Sequence, residues 1–322
     1  MHSFFIVDGH CDTLSKMSYS DMNFKEQDNT HVNLNKLKAG NVGLQFFAVW
    51  INTKMHRSCS FEKALQLIDI YKRMLALNKN DIIPILSYND VQQMMREDKI
   101  GSLLAVEGGD VLQGSLINLR ILYYLGVRLL TLTWNYRNEL ADGVLESHSR
   151  AGLSQFGIEV VKEMNRLGML IDVSHLSSNG FWDVLEFSKK PIVASHSNAQ
   201  KICKHPRNLD DQQIRAISDN GGVIGINFNT PFLAAEKASI VDIIKHTEHI
   251  ISLAGIDHVG FGSDFDGIDE LPQGIAGPQD YPKIIEELLK MNYNEEDVRK
   301  ICHNNFLRVI KEAFNVSENT IV

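Results

Sequence analysis

The sequence predicts an α/β fold, a (β/α)8 TIM-type barrel with extra helices at its C-terminal end. Three observations carry that expectation. Short apolar runs alternate with longer segments of helical period along the whole chain, the pattern that builds parallel sheets covered by helices. Most of the short runs are continuously apolar, as strands covered on both faces are. Ionisable side chains recur where those strands end, and in a closed parallel barrel all such ends share one rim. A doubly wound open sheet uses the same alternation; the placement of the polar residues favours the barrel.

In chain order the expected strands are 4–7, 43–49, 102–106, 129–133, 170–173, 192–195, 223–227 and 259–262, with 82–86 as an additional short strand. Helices are expected at 61–77, 116–125, 155–167, 180–187, 211–218 and 240–253, and two or three more from 281 onward. The period is clearest in the last of the named helices. Ile240, Ile243, Ile244, Thr247, Ile250 and Ile251 fall on one face, while Asp242, Lys245 and Glu248 fall elsewhere. Gly126, Gly168 and Gly255 each follow a helix, where a left-handed C-terminal cap favours glycine.

The 322 residues are 44% hydrophobic and 22% charged, and no Pro/Gly/Ser-rich linker interrupts them, so residues 1–322 read as one domain. The net charge of -8 is dispersed, with no basic run to track a phosphate backbone, and nucleic acid is not an expected partner. The N-terminal residues lack the basic, apolar and small-residue regions of a signal peptide, and the longest apolar stretches, such as 42–51, are too short to cross a bilayer. A soluble cytoplasmic protein is expected. Cys11, Cys59, Cys203 and Cys302 show no C-x-x-C spacing, which points to reduced thiols rather than disulfides or a zinc knuckle.

His10 and Asp12, Glu107, His175, His196 and Asp264 all fall at C-terminal strand ends, which places them around one cavity. His10 and Asp12, two apart in extended chain, point to the same side while Cys11 points away. Alone, that pair is equally a turn histidine and a helix-capping aspartate. Glu107 ends a buried apolar run just before Gly108 and Gly109, and its charge there needs compensation, which a position between two cations supplies. His175 and His196 close two successive strand-Ser-His sequences and make a second metal site with Glu107. Asp264, nearer the strand end than Asp266, is the expected proton carrier beside the metals. Three histidines with carboxylates and no thiolate suit two Zn2+ ions, with Co2+ or Mn2+ as substitutes. Such a pair lowers the pKa of a bridging water and polarises a carbonyl, which fits amide hydrolysis.

The chain resembles the renal (membrane) dipeptidase family of zinc dipeptidases, within the amidohydrolase superfamily. The resemblance rests on Asp8-Gly-His-Cys-Asp-Thr13, Val106-Glu-Gly-Gly109, Leu129-Leu-Thr-Leu-Thr133, Ala141-Asp-Gly143, Gly152-Leu-Ser-Gln-Phe-Gly157, Asn165-Arg-Leu-Gly168, Ile171-Asp-Val-Ser-His175, Ser195-His-Ser197, Arg207-Asn208 and Gly260-Phe-Gly-Ser-Asp-Phe-Asp-Gly267. It implies a metal-dependent hydrolase fold, with His10 and Asp12 on one zinc, His175 and His196 on the other and Glu107 bridging. It also implies that Arg207 holds the substrate's C-terminal carboxylate, that L-D dipeptides are among the substrates, and that the protein is a homodimer. One departure lies inside the site: animal members carry a histidine after Leu-Thr-Leu-Thr, where this chain has Trp134. An indole cannot transfer protons, so Trp134 is expected to wall the pocket, with Asn135 or Asn138 supplying polar contacts. Two rival readings stand beside the dipeptidase: another amidohydrolase reaction, such as deamination or lactone hydrolysis, and a metal- or peptide-binding protein of weak turnover.

Overall fold

The computed structural model describes residues 4–17, 23–26, 29–146 and 148–315. Nine strands among these residues form the sheet: β1 Ile6–Asp8, β2 Val42–Trp50, β3 Ile82–Pro84, β4 Ile100–Glu107, β5 Val127–Thr131, β6 Leu170–Asp172, β7 Val193–Ala194, β8 Val223–Ile226 and β9 Val259–Phe261. Every pairing is parallel. β1 pairs with both β2 and β9, and β2 pairs with β4, so eight strands close into a ring. The ninth, β3, lies outside it. It takes the edge of β4 along Ile100–Ser102, below the stretch Leu104–Glu107 that pairs with β5.

All eight expected barrel strands are present, with shifted ends that have local causes. β7 is short because the backbone N–H of Ser195, instead of continuing the ladder, donates to Asp172 Oδ1 at 2.9 Å. The six named helices appear within about two residues of their expected bounds, among them Gln155–Leu167 and Ile240–Ala254. Besides three four-residue helices, Thr13–Lys16, Thr53–His56 and Thr230–Leu233, two longer ones, Leu34–Ala39 and Tyr88–Glu97, were not anticipated; the last of these starts with a Ser87/Asp90 capping box. Gly168 is the left-handed cap expected of it (φ 74°, ψ 36°), whereas Gly255 is not. Its ψ of 165° leads the chain straight out of the helix into a short 3-10 turn, Ile256–His258.

Inside the ring Val7, Leu44, Phe46, Leu103, Ala105, Leu129, Leu170, Val193 and Val223 pack on one another and on the C-terminal helix Asn305–Phe314. A larger apolar layer lies between the strands and the surrounding helices. Apolar packing thus fills the barrel's interior and lower end and leaves the upper rim to polar residues. No helix among the described residues is long and apolar enough to cross a membrane.

Candidate metal centre

Each of the five expected ligands, and the expected proton carrier Asp264, lies at or just past a strand end. Glu107 is the last residue of β4, His10 and Asp12 follow β1, His175 follows β6, His196 follows β7 and Asp264 follows β9. All six are buried. Asp12 occupies the N-cap position of the short helix Thr13–Lys16 but makes no side-chain capping bond. Its carboxylate instead meets His10 Nε2 at 3.3 Å.

Glu107 divides its two oxygens. Oε1 lies 2.9 Å from His175 Nε2 and 3.6 Å from His196 Nε2, while Oε2 lies 3.7 Å from His10 Nε2. Two clusters result, His10–Asp12–Glu107 and Glu107–His175–His196, each with ligand atoms within 4.8 Å of one another; His10, His196 and Asp264 form a third such group. His175 and Asp264 hold left-handed backbone conformations (φ 67° and 65°), and Gly108, next to Glu107, has φ 101°. Such positions are costly for residues other than glycine and cluster at functional sites.

The donor set fits cations. His175 Nδ1 donates to Asn135 Oδ1 (2.7 Å), and His196 Nδ1 donates to Ser195 Oγ (2.7 Å), whose own proton goes to Asp172 Oδ2 (2.6 Å). Both Nε2 atoms are therefore bare. They stand 2.9 Å apart beside Glu107 Oε1, so three lone pairs converge on one point. Both imidazoles and the carboxylate would hold a cation there, which would relieve their mutual repulsion. On the other side Asp12 Oδ1 is buried without a hydrogen-bond partner.

The electrostatics differ between the two sides. Burial drives the His175 and His196 imidazoles well below their usual range, helped by Arg207 and His10, and keeps them neutral donors. Burial also opposes a charge on His10, but Glu107, Asp12 and Asp264 outweigh it and raise that imidazole to about 10. Glu107 is pushed well above the carboxylate range by burial, against the pull of His10, with Asp12 and Asp264 adding to the rise. Asp264 is raised to about 6 by burial, opposed by His10 and reinforced by Asp12.

A cavity of about 400 Å³ opens over the centre, with Asp12, Glu107, His175 and Asp264 facing Trp50, Trp134, Asn135, Asn229, Phe232 and Lys16. Trp134 packs edge-on against Trp50 (5.3 Å between centroids) and beside Tyr136 (5.6 Å), so it stands in the wall. Asn135 lines the cavity too, but its side-chain oxygen is committed to His175. Asn138 is spent on the fold: it binds Asp110, Leu132, Leu140 and Ala141. Asp266 likewise accepts bonds from Thr13, His31 and Val32.

Arg207 lines a second cavity of about 250 Å³ that shares His175 with the first. It is buried, with Nη2 donating to His196 O (3.1 Å) and Nε without a partner. Burial lowers its pKa to about 10, against the pull of Asp264 and Glu107.

Several supporting residues had escaped the sequence reading. Asn227, just past β8, donates from Nδ2 to Asp264 Oδ2 at 2.8 Å. Asp8 accepts from the backbone of His10 and Ser263, from Ser263 Oγ and from Tyr281 Oη. Asp172 plays the corresponding part for Ser174 and Ser195. A signal for both was present: Asp8-Gly-His10 and Asp172-Val-Ser-His175 each set a buried aspartate shortly before a candidate ligand histidine.

A closed parallel barrel with histidine–carboxylate clusters on its C-terminal rim defines a metal-dependent hydrolase. Residues 1–321 match the membrane dipeptidase family, peptidase family M19, and the chain belongs to that family. It is accordingly a metal-dependent dipeptidase. Solved structures of similar chains agree. The dipeptidase AC, a metallopeptidase of family M19, is 27% identical with a TM-score of 0.91 over 98% of this chain and 100% of its own. A metallopeptidase from Rhodobacter sphaeroides, liganded with a phosphinate mimic of the dipeptide L-Ala-D-Ala, is 26% identical with a TM-score of 0.89 over 96% and 99%. An amidohydrolase from Pseudomonas aeruginosa is 25% identical with a TM-score of 0.85 over 97% of each chain.

Proposed function

We propose that this chain hydrolyses dipeptides, L-D dipeptides among them, at a centre of two Zn2+ ions held by His10 and Asp12 on one side, His175 and His196 on the other, and Glu107 between. The division of the Glu107 oxygens between the two clusters carries this reading. Imidazole and carboxylate donors without thiolate suit zinc. Bound there, the cations supply an activated water and polarise the scissile carbonyl.

The remaining steps belong to side chains. Arg207 holds the substrate's C-terminal carboxylate: its buried, unpartnered Nε is a donor in want of an anion, and a guanidinium matches a carboxylate. Asp264 carries the proton to the departing amine. Asn227 fixes its Oδ2, leaving Oδ1 toward the centre, 3.9 Å from His10 Nε2. A carboxylate placed beside the metals is suited to take a proton and pass it on. The aromatic wall of Trp50, Trp134 and Phe232 excludes water from the substrate's flank. Acceptance of a D-residue at the C-terminal position is supported by the L-Ala-D-Ala mimic bound to the similar Rhodobacter sphaeroides chain.

The test is amine release from paired L-Xaa-L-Yaa and L-Xaa-D-Yaa dipeptides by zinc-loaded protein. Chelator-sensitive turnover of both series, reduced at least about 10²-fold in Asp264→Asn, is expected. Hydrolysis restricted to L-L pairs would remove the L-D assignment, and an active Asp264→Asn would remove the proton role.

A further inference from the structure

The two halves of the centre differ in donor chemistry and in what stands behind the donors. On one side two bare imidazole nitrogens converge with Glu107 Oε1. Behind His175 is Asn135; behind His196 runs a relay from Ser195 Oγ to Asp172 Oδ2, which also accepts from Thr131 Oγ1 at 2.7 Å. Asp172 is itself fixed by the backbone N–H groups of Ser174 (3.0 Å) and Ser195 (2.9 Å). The other half holds a single nitrogen, His10 Nε2, among oxygens of Asp12, Glu107 and Asp264. His10 Nδ1 is buried and has no hydrogen-bond partner.

These differences act in opposite directions on affinity. The extra carboxylates attract every divalent cation, so they strengthen binding without choosing among metals. Choice follows donor type: paired imidazoles suit zinc, and oxygen-rich sets accept harder ions such as Mn2+. An imidazole whose far nitrogen is hydrogen-bonded is locked in tautomer and orientation and is a stronger ligand, an effect of about 10–100-fold in metal affinity.

Resting on the two-metal reading above, we infer that the subsites are unequal. His175–His196–Glu107, backed by Asn135 and the Ser195–Asp172 relay, retains zinc. His10–Asp12–Glu107 exchanges its metal and accepts Mn2+. Ser195 and Asp172 are then positioning residues for the retained subsite.

Metal-free protein is titrated with Zn2+ against a chromophoric chelator. Protein carrying one equivalent of Zn2+ is separately given Mn2+, desalted, and examined by elemental analysis and electron paramagnetic resonance. Two resolved zinc steps are expected, together with a stable species of one zinc and one manganese. Ser195→Ala is expected to weaken the tighter step about 10–100-fold and leave the looser one in place, while His10→Ala removes the looser step only. Two indistinguishable zinc steps, displacement of zinc by manganese, or loss of the looser step in Ser195→Ala would overturn the inference. The wild-type mixed-metal experiment decides without any variant. A total of one bound equivalent would instead refute the two-metal reading itself.

Discussion

Gly267 shows how little room the centre leaves. A methyl group added there would lie closer than 3.0 Å to both Asp12 Oδ2 and Asp264 Oδ1. Asp264 cannot simply swing aside, because Asn227 holds its other oxygen. Gly267→Ala must therefore displace at least one carboxylate. Since a misplacement of about 1 Å can cost 10²-fold, kcat/KM should fall by about that factor while the thermal midpoint moves little. Wild-type kcat/KM in the folded variant would show that the carboxylates have slack. The same residue marks the limit of sequence reading at this scale. The convergence of His10, Asp12, Glu107, His175, His196 and Asp264 was legible because each stood at a strand end. Gly267 and Asn227 act through close approach and a single donated bond, and neither gives a glycine or an asparagine a distinctive pattern. Asn135 was legible as a cavity residue; its bond to His175 was not.

Among the elements, the segment after β7 has the hardest task, because it carries His196 and Arg207 with little regular structure of its own. Its own asparagines and one histidine from another element hold it. Asn198 pairs with both backbone groups of Asn227 (2.9 and 3.0 Å), Asn208 donates to Cys203 O and Phe232 O, and His246 Nδ1 accepts from the N–H of Ala199 at 3.0 Å. His246 lies on Ile240–Ala254, where the expected apolar face gave no hint of this bond. To accept at Nδ1 and donate from Nε2 to Leu233 O (3.0 Å), the ring must be neutral. Burial lowers its pKa to about 4, with the Leu233 carbonyl opposing. The unfolded chain takes up this proton near 6.5 and the folded chain only near 4. Stability from this group is therefore complete above about pH 6.5 and is lost progressively as the pH falls toward 4, by at most about 3 kcal/mol. Urea unfolding of wild type and His246→Gln at fixed metal concentration, at pH 7.5 and 4.5, tests this. The wild type should lose more stability over that range than the variant; equal losses would mean that His246 does not titrate with folding.

At the scale of the whole molecule, the barrel carries charge and bare donors at its upper end, so its stability must come from the interior and the lower end. Alternation of short and long segments made the eight strands legible, and strand-end polar residues favoured a closed ring over an open sheet. The lower closure was not legible. The helices after residue 281 could be anticipated, but an apolar face of Phe306, Val309, Ile310 and Ala313 does not say what it covers. In the structure it covers the barrel interior, with the Phe306 ring set edge-on to Phe46 at 5.7 Å between centroids. Gly9 and Gly260 make room for that ring; a Cβ at either would lie closer than 3.0 Å to it. Phe306 thus packs under the residue that precedes His10, joining the plug at one end to the candidate metal centre at the other. Phe306→Ala would leave a cavity that the closed ring of strands cannot collapse to fill, so a loss of about 3–5 kcal/mol is expected. Phe306→Leu, which keeps most of the volume, should recover much of it. Equilibrium unfolding in urea measures both. A loss below about 1 kcal/mol in Phe306→Ala, less than filling even a partial void implies, would mean that the ring of strands is held closed by its own packing and that the C-terminal helix merely rests against it.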